Sequence, residues 1–253
     1  QTEVQNLQAV RNQSLSGSSA KPSIEIIEKG KALKSQITKL EEELRETDAQ
    51  LQHLLLSVPN WPYDEAPIGG EEANKEIRTW GTIPDFSFAP KSHIEIIEDL
   101  DLADLERGVK VAGFRGYFLK NELAQLQIAI VMYVFQKFIA KGYTPLIAPA
   151  MVKEFTLFGN GQFPWGRQEV YQLNSDDGYL AGTAEVPVTA YYANETLSEN
   201  DLPKKFVALS PCFRKEIGNY GKDTKGLYRV HEFWKVEQVI LGPNDHENSK
   251  KLH

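Results

Sequence analysis

Arg214 and Glu216 stand two residues apart at the base of one loop, and beyond it Arg229, His231, Phe233, Lys235 and Glu237 follow at every second position. A strand has a side-chain period of two, so the latter five share one face, a row of cation, ring and carboxylate. Tyr228, Val230, Trp234 and Val236 share the other face and read as core. A guanidinium grips phosphate through paired N–H donors, an aromatic face stacks on a purine, and a carboxylate accepts hydrogen bonds from an amine. The row suits a nucleotide. A solvated outer face is the plainer alternative, and Phe233 at the centre of the row argues against it. Upstream, Thr183, Ala184 and Glu185 precede Pro187. They read either as a strand end or, if Glu185 lies buried beside Glu237, as part of a carboxylate pair suited to an ammonium ligand. Paired carboxylates also suit acid and base work, but no nucleophile accompanies them.

Charge is concentrated around the same residues. The chain of 253 residues carries a net −7, yet positions 204–235 hold eight basic and three acidic residues, a local +5 set in a remainder of −12. Clustered cations are what phosphate affinity needs, so the acidic total does not exclude a nucleic-acid partner. Other candidates are weaker. His231 has no second His or Cys at ligand spacing and reads as a structural histidine, so no metal site is expected from protein ligands alone. Cys212 reads as a small buried hydrophobe. Gly159, Gly161 and Gly166 follow no strand in phosphate-loop order and read as a loop. No run approaches the roughly 18 apolar residues of a membrane span, and a lone Cys forms no internal disulfide, so a reducing, cytoplasmic setting is expected.

The elements that must position these residues fall into two regimes. Residues 1–58 contain no aromatic residue, while Ile37, Leu40, Leu44, Leu51, Leu54 and Val58 repeat at spacings of three and four with one polar interruption at Thr47. This is a heptad seam. Val4 and Leu7 suggest the end of a partner helix, and the Ser-, Gly- and Pro-rich stretch 12–23 a turn, so an antiparallel hairpin with its tip at 16–20 is expected. Residues 59–90, with Pro59, Pro62, Pro67, Gly69 and Gly70, form a linker and domain entry. Helical spacing then covers 94–108, and a strong amphipathic helix covers 121–141 with Leu123, Leu126, Ile130, Val134 and Phe138 on one face. Strand-like runs cover 143–152, an edge position because of its prolines, and then 179–192, 206–213 and 227–241. A helix followed by consecutive strands without regular crossover helices predicts an α+β domain on an antiparallel sheet over 91–253.

At this resolution of detail the chain resembles a known family. FRKE from Phe213 to Glu216, continuing to the HEFWKVE that ends at Glu237, resembles motif 2 of class II aminoacyl-tRNA synthetases in the form found in seryl-tRNA synthetases. GYTPLIAPAMV around Pro149 resembles motif 1, GTAEVPVT at 182–189 resembles that family's serine-binding segment, and the hairpin followed by SVPNWP at 57–62 resembles its tRNA-binding arm. The resemblance implies a class II catalytic core preceded by a long helical coiled-coil arm. It also implies activation of serine by ATP and Mg²⁺ to seryl-adenylate, and transfer of the seryl group to tRNA(Ser). By it, Arg214 would hold the α-phosphate, Glu216 the adenine amine or the tRNA end, Lys215 would lie between them, and Arg229 would add a phosphate contact. Phe233 would stack on adenine with the backbone of Val230 alongside; Thr183, Ala184, Glu185 and Glu237 would receive serine. Motif 1 implies a homodimer through 121–152.

Departures accompany the likeness. The family's third motif, a Gly-rich helix start with an ATP-binding Arg, has no counterpart before His253, and the first helix of the arm is short. The chain is therefore expected to be a piece truncated at both ends and not to activate serine at a useful rate alone. The alternatives are a synthetase-like paralogue that charges a carrier protein or uses another amino acid, and a non-catalytic coiled-coil interaction protein. The long arm disfavours the carrier-protein version of the first, and the retained Arg214, Glu216, Phe233, Glu185 and Glu237 disfavour the second.

Overall fold

The computed structural model of the chain describes residues 2–16, 24–174, 177–217 and 225–252. It divides into two compact units, Gln1–Tyr63 and Asp64–His253. The loop residues Gly218, Gly221, Lys222 and Asp223, and the expected hairpin tip beyond Ser16, lie outside the described residues.

In the first unit, α1 (Thr2–Ser16) packs along α2 (Ile24–Leu56). The 33 residues of α2 give a rod of about 50 Å. Val4 and Ile37 are buried, and Gln8 Nε2 donates to Glu41 Oε1 at 3.0 Å. Leu40 and Leu44 are half-buried, whereas Leu51, Leu54 and Val58 are exposed. The seam is thus covered around Ile37 and open toward its C-terminal end.

The second unit begins with a stretch that is regular only at the 3₁₀ turn Glu71–Ala73. The helix expected over 94–108 is two helices, α3 (His93–Asp99) and α4 (Leu105–Ala112). Between them β1 (Ala103–Asp104) pairs with β2 (Phe118–Leu119), and Asp101 has a φ of +53°. The Asp104 carboxylate accepts from Arg107 N at 2.8 Å and starts α4, the N-cap role that stops one helix pattern and begins another. The amphipathic helix α5 (Asn121–Ile139) follows as expected.

The strand expected over 143–152 is divided between two sheets. β3 (Thr144–Ile147) lies at the edge of a sheet and β4 (Met151–Lys153) enters another, with Pro149 in the break. α6 (Glu154–Gly159) leads to β5 (Tyr171–Gln172) and β6 (Gly178–Leu180), giving the antiparallel order β4-β6-β5. The run 179–192 is strand only in β6. Its second half is α7 (Glu185–Thr189), because Val186 and Val188 are each wanted by a different core. Then come β7 (Lys204–Phe213), β8 (Glu232–Leu241) and α8 (His246–Leu252). β7 is central, antiparallel to β8 and parallel to β3, an arrangement that leaves Pro145 at an edge as expected.

Two cores fix these elements. Leu157, Phe163, Val170, Tyr179 and Val186 bury one beside the β4-β6-β5 sheet. Ala148, Ala184, Val188, Phe206 and Ala208 bury the other under the β3-β7-β8 sheet. α7 contributes to both, so the turn immediately before it, Gly182 to Ala184, is held from two sides. β8 begins five residues later than expected, and the face read as core is only partly so. Val230 is buried, but Trp234 is 45% and Tyr228 73% exposed. Tyr228 instead packs against His93 with ring centroids 4.2 Å apart, and Trp234 lines an open apolar groove of about 350 Å³ with Leu126 and Ile130 of α5.

Candidate active site

The chain leaves β7 at Phe213 and re-enters at β8 opposite it, since Phe213 and Glu232 are register partners. Arg214 N donates to His231 O at 3.0 Å, and His231 Nδ1 lies 2.9 Å from Arg214 O, which extends the ladder beyond the strands. His231 is thereby spent on holding the backbone. On the returning strand, Leu227 N donates to His93 Nε2 at 3.4 Å. Gly226, at φ +67°, passes so close to that imidazole that a Cβ would come within 2.1 Å of Nε2. A side chain there would be strained by the positive φ and would clash with the imidazole, so either the ring or this turn must shift.

Between loop base and returning strand lies a pocket of about 310 Å³, lined by Arg214, Glu216, Leu227, Tyr228, Arg229, Val230 and Phe233. Its volume is at the small end of ligand pockets. Five of the six residues expected to face a nucleotide are brought together here. Lys215 is not: its N donates to Glu169 O at 3.0 Å and its ammonium sits 5.7 Å from the Tyr171 ring centre. Its side chain lies on the Tyr171 side, outside the pocket that its two neighbours line, and the backbone turns at Glu216, whose φ is +52°. Arg214 is exposed, with its guanidinium carbon 5.3 Å from the Phe233 ring centre. Glu216 Oε2 accepts from Arg229 Nη1 at 2.6 Å, pairing the carboxylate with the second cation.

A second polar cluster lies at the turn before α7. Thr183 Oγ1 is 2.6 Å from both oxygens of Glu237, and Ala184 N donates to Glu237 Oε2 at 2.6 Å. Lys235 Nζ donates to Glu237 Oε1 at 2.6 Å and to Thr183 Oγ1 at 3.1 Å. Burial pushes the Glu237 carboxyl upward, but the hydrogen bonds from Lys235 and Thr183, the Lys235 charge and the Ala184 N–H together hold it below the usual carboxylate range. Glu185 departs from the expected buried pair. It is exposed at the start of α7, its backbone N donating to Thr183 Oγ1 at 3.4 Å and its carbonyl accepting from Thr189.

Arg214 joins the two halves. Its Nε donates to Gly182 O at 3.1 Å while its guanidinium lies over Phe233, so it stands where a phosphate on one side and a carboxylate on the other would meet. Two supporting residues escaped the sequence reading. Arg115 donates from Nη1 to Glu216 O at 3.4 Å, and the Glu169 carboxylate accepts from Ile217 N at 3.2 Å. No local pattern marks either, because they lie far from the loop in sequence. Lys235 was visible on the correct face, and only its pairing with Glu237 was missed. Cys212 is buried in β7, and its burial pushes the thiol up. Among the described residues no group of three or more His, Cys, Asp or Glu side chains could hold a metal ion, and no helix is long and apolar enough to cross a membrane.

Known proteins similar to this chain belong to two matching families. Residues 169–251 match the family described as tRNA synthetase class II core domain (G, H, P, S and T), and residues 1–62 match the Seryl-tRNA synthetase N-terminal domain. The serine–tRNA ligase of Deinococcus radiodurans is 44% identical over 227 residues, 89% of this chain and 53% of that protein. That of Treponema denticola is 40% identical, covering 100% of this chain and 61% of its own length. The chain thus spans about half to three-fifths of the curated relatives it matches. Among solved structures, the seryl-tRNA synthetase of Pyrococcus horikoshii complexed with ATP has a TM-score of 0.84 and 34% identity, over 94% of this chain and 59% of that one. The cytoplasmic serine–tRNA ligase of Naegleria fowleri in complex with AMP has a TM-score of 0.81 and 26% identity, over 99% of this chain and 59% of that one.

Proposed function

Since the chain belongs to the seryl-tRNA synthetase family, we propose that its second unit binds ATP and serine for the formation of seryl-adenylate, and that its first unit grips tRNA(Ser), the acceptor of the seryl group. The observation that carries this reading is the position of Arg214 between Gly182 and Phe233. Adenine stacks on Phe233 beside the Val230 backbone, and the α-phosphate falls to Arg214, with Arg229 and Glu216 as an adjoining charged pair. Serine places its ammonium on Glu237 and Thr183, beside the Ala184 backbone. Its carboxylate then approaches the α-phosphorus in line, the bond to pyrophosphate breaks, and an acyl phosphate forms. No protein nucleophile is needed: the residues hold two reactants in register and neutralise charge as it gathers on phosphorus.

Mg²⁺ would arrive on the nucleotide and supply charge neutralisation there, held mainly by phosphate oxygens, as is usual for this ion. The exposed Ile128, Met132 and Tyr133 on α5 support a homodimer through the 121–152 region. The half-covered seam of α2 and its flanking Lys31, Lys34 and Lys39 support tRNA binding by the arm. A cytoplasmic setting accords with the lone buried Cys212.

Calorimetric titration of the chain with a non-hydrolysable seryl-adenylate analogue tests the reading. One saturable site is expected, with an analogue that lacks the ammonium at least about tenfold weaker, because Glu237 and Thr183 would lose the group they hold. Equal binding with and without the ammonium, or no binding at all, would overturn it.

A further inference from the structure

The Glu237 carboxylate already has a cation. Lys235, two residues away on the same face of β8, places its ammonium 2.6 Å from Oε1 and also reaches Thr183 Oγ1 at 3.1 Å. Two further directions are taken by the Thr183 hydroxyl and by Ala184 N on Oε2. A carboxylate offers about four lone-pair positions, so one direction remains, and a second ammonium using it would sit close to the first. Two like charges at that separation repel in a partly desolvated site. The side chains of Lys235 and Glu237 are 30% and 18% exposed, so the lysine is the member of the pair with more access to water.

From this we infer that Lys235 is a positioning residue: its ammonium stands in for the substrate ammonium, keeping Glu237 ionised and aimed while the site is empty, and is displaced when the amino acid binds. The inference rests on the reading of Glu237 as the serine carboxylate. It adds that serine binding is an exchange of one ammonium for another. The exchange sharpens selection, because a ligand that lacks a cation has nothing to offer Glu237 in place of Lys235. It also avoids an uncompensated buried carboxylate in the free protein, which is the costly state for such a group.

Equilibrium dialysis of the chain with L-serine and with L-glycerate, which has a hydroxyl in place of the ammonium, tests the exchange. Lys235→Met leaves Glu237 without its resident cation, so serine affinity should rise about tenfold while glycerate affinity stays within about twofold. Lys235→Gln should shift serine in the same direction and serves if the Met variant does not fold. Lys235→Arg, whose fork grips a carboxylate more firmly, should bind serine no better than the unaltered protein. A lysine needed only for structure would weaken serine binding in all three variants, and that result, or equal gains for serine and glycerate, would overturn the inference. Glu237→Gln separates the two claims. Unchanged serine binding in that variant, or no serine binding by the unaltered protein, would overturn the serine reading itself, and the exchange with it.

Discussion

Arg214 donates from Nε to the carbonyl oxygen of Gly182 at 3.1 Å, and a Cβ at Gly182 would lie 3.3 Å from both Arg214 Cγ and Phe213 O. The glycine thus lets the arginine of one strand end lie flat against the turn before α7. Gly182→Ala is expected to push the arginine aside by a few tenths of an ångström. Stability should fall by only about 1 kcal/mol, while affinity for a seryl-adenylate analogue falls by about tenfold or more. Urea unfolding beside calorimetry checks the split; equal binding by the variant would show that the contact does not position Arg214.

Phe233 offers the ring in the pocket proposed to take the nucleotide. Base stacking on an aromatic side chain is worth about 1–3 kcal/mol, so Phe233→Leu should weaken ATP binding by roughly ten- to a hundredfold. Phe233→Tyr should nearly restore it. Both effects are read from fluorescence competition with a labelled adenine nucleotide, and serine affinity in the absence of nucleotide should not move.

The pair Glu216 and Arg229 is bonded at 2.6 Å, with the glutamate side chain only 10% exposed and the arginine 36%. Removing the arginine takes a 2.6 Å ion pair from a mostly buried carboxylate. Arg229→Ala should therefore cost about 1–2 kcal/mol, discounted from a fully buried pair because water reaches the guanidinium. Adding Glu216→Gln should recover part of that loss. A double-mutant cycle by urea unfolding that gives strictly additive costs would mean the pair contributes no coupling.

Glu237 makes stability depend on acid. Its carboxyl is held below the usual range in the fold, so the folded state binds protons less readily than the unfolded chain. That contribution is fully present above the ordinary carboxylate range and is lost as pH falls through the lowered folded value. The stability gap between the unaltered protein and Glu237→Gln should therefore narrow between about pH 6 and about pH 3. Unfolding midpoints measured across that interval check the sign, and a gap that widens toward acid contradicts it.

The parts of this fold that were legible in the sequence are those with a single dominant period. The heptad of α2, the amphipathic α5 and the hairpin strands β7 and β8 each announce themselves by spacing, and the row from Arg229 to Glu237 gave the polar face directly. What was not legible depended on distant partners. The 94–108 pattern breaks because Asp104 caps a new helix while its neighbour pairs with β2. The 179–192 run bends into α7 because its valines serve two cores. Glu185 and Glu237 looked alike as carboxylates, yet only Glu237 lies where a backbone N–H, a hydroxyl and an ammonium converge. Trp234 and Tyr228 alternated like core residues, but each lies on an open surface of the described chain.

The central claim is that the pocket at Phe233 and the carboxylate at Glu237 are two halves of one site joined by Arg214. A crystal structure of the chain with a seryl-adenylate analogue tests it most directly. The account predicts the adenine ring on Phe233, the phosphate mimic on the Arg214 guanidinium, and the seryl ammonium on Glu237 with Lys235 turned away. An analogue bound with its adenine elsewhere, or with its seryl group remote from Thr183 and Glu237, would contradict it.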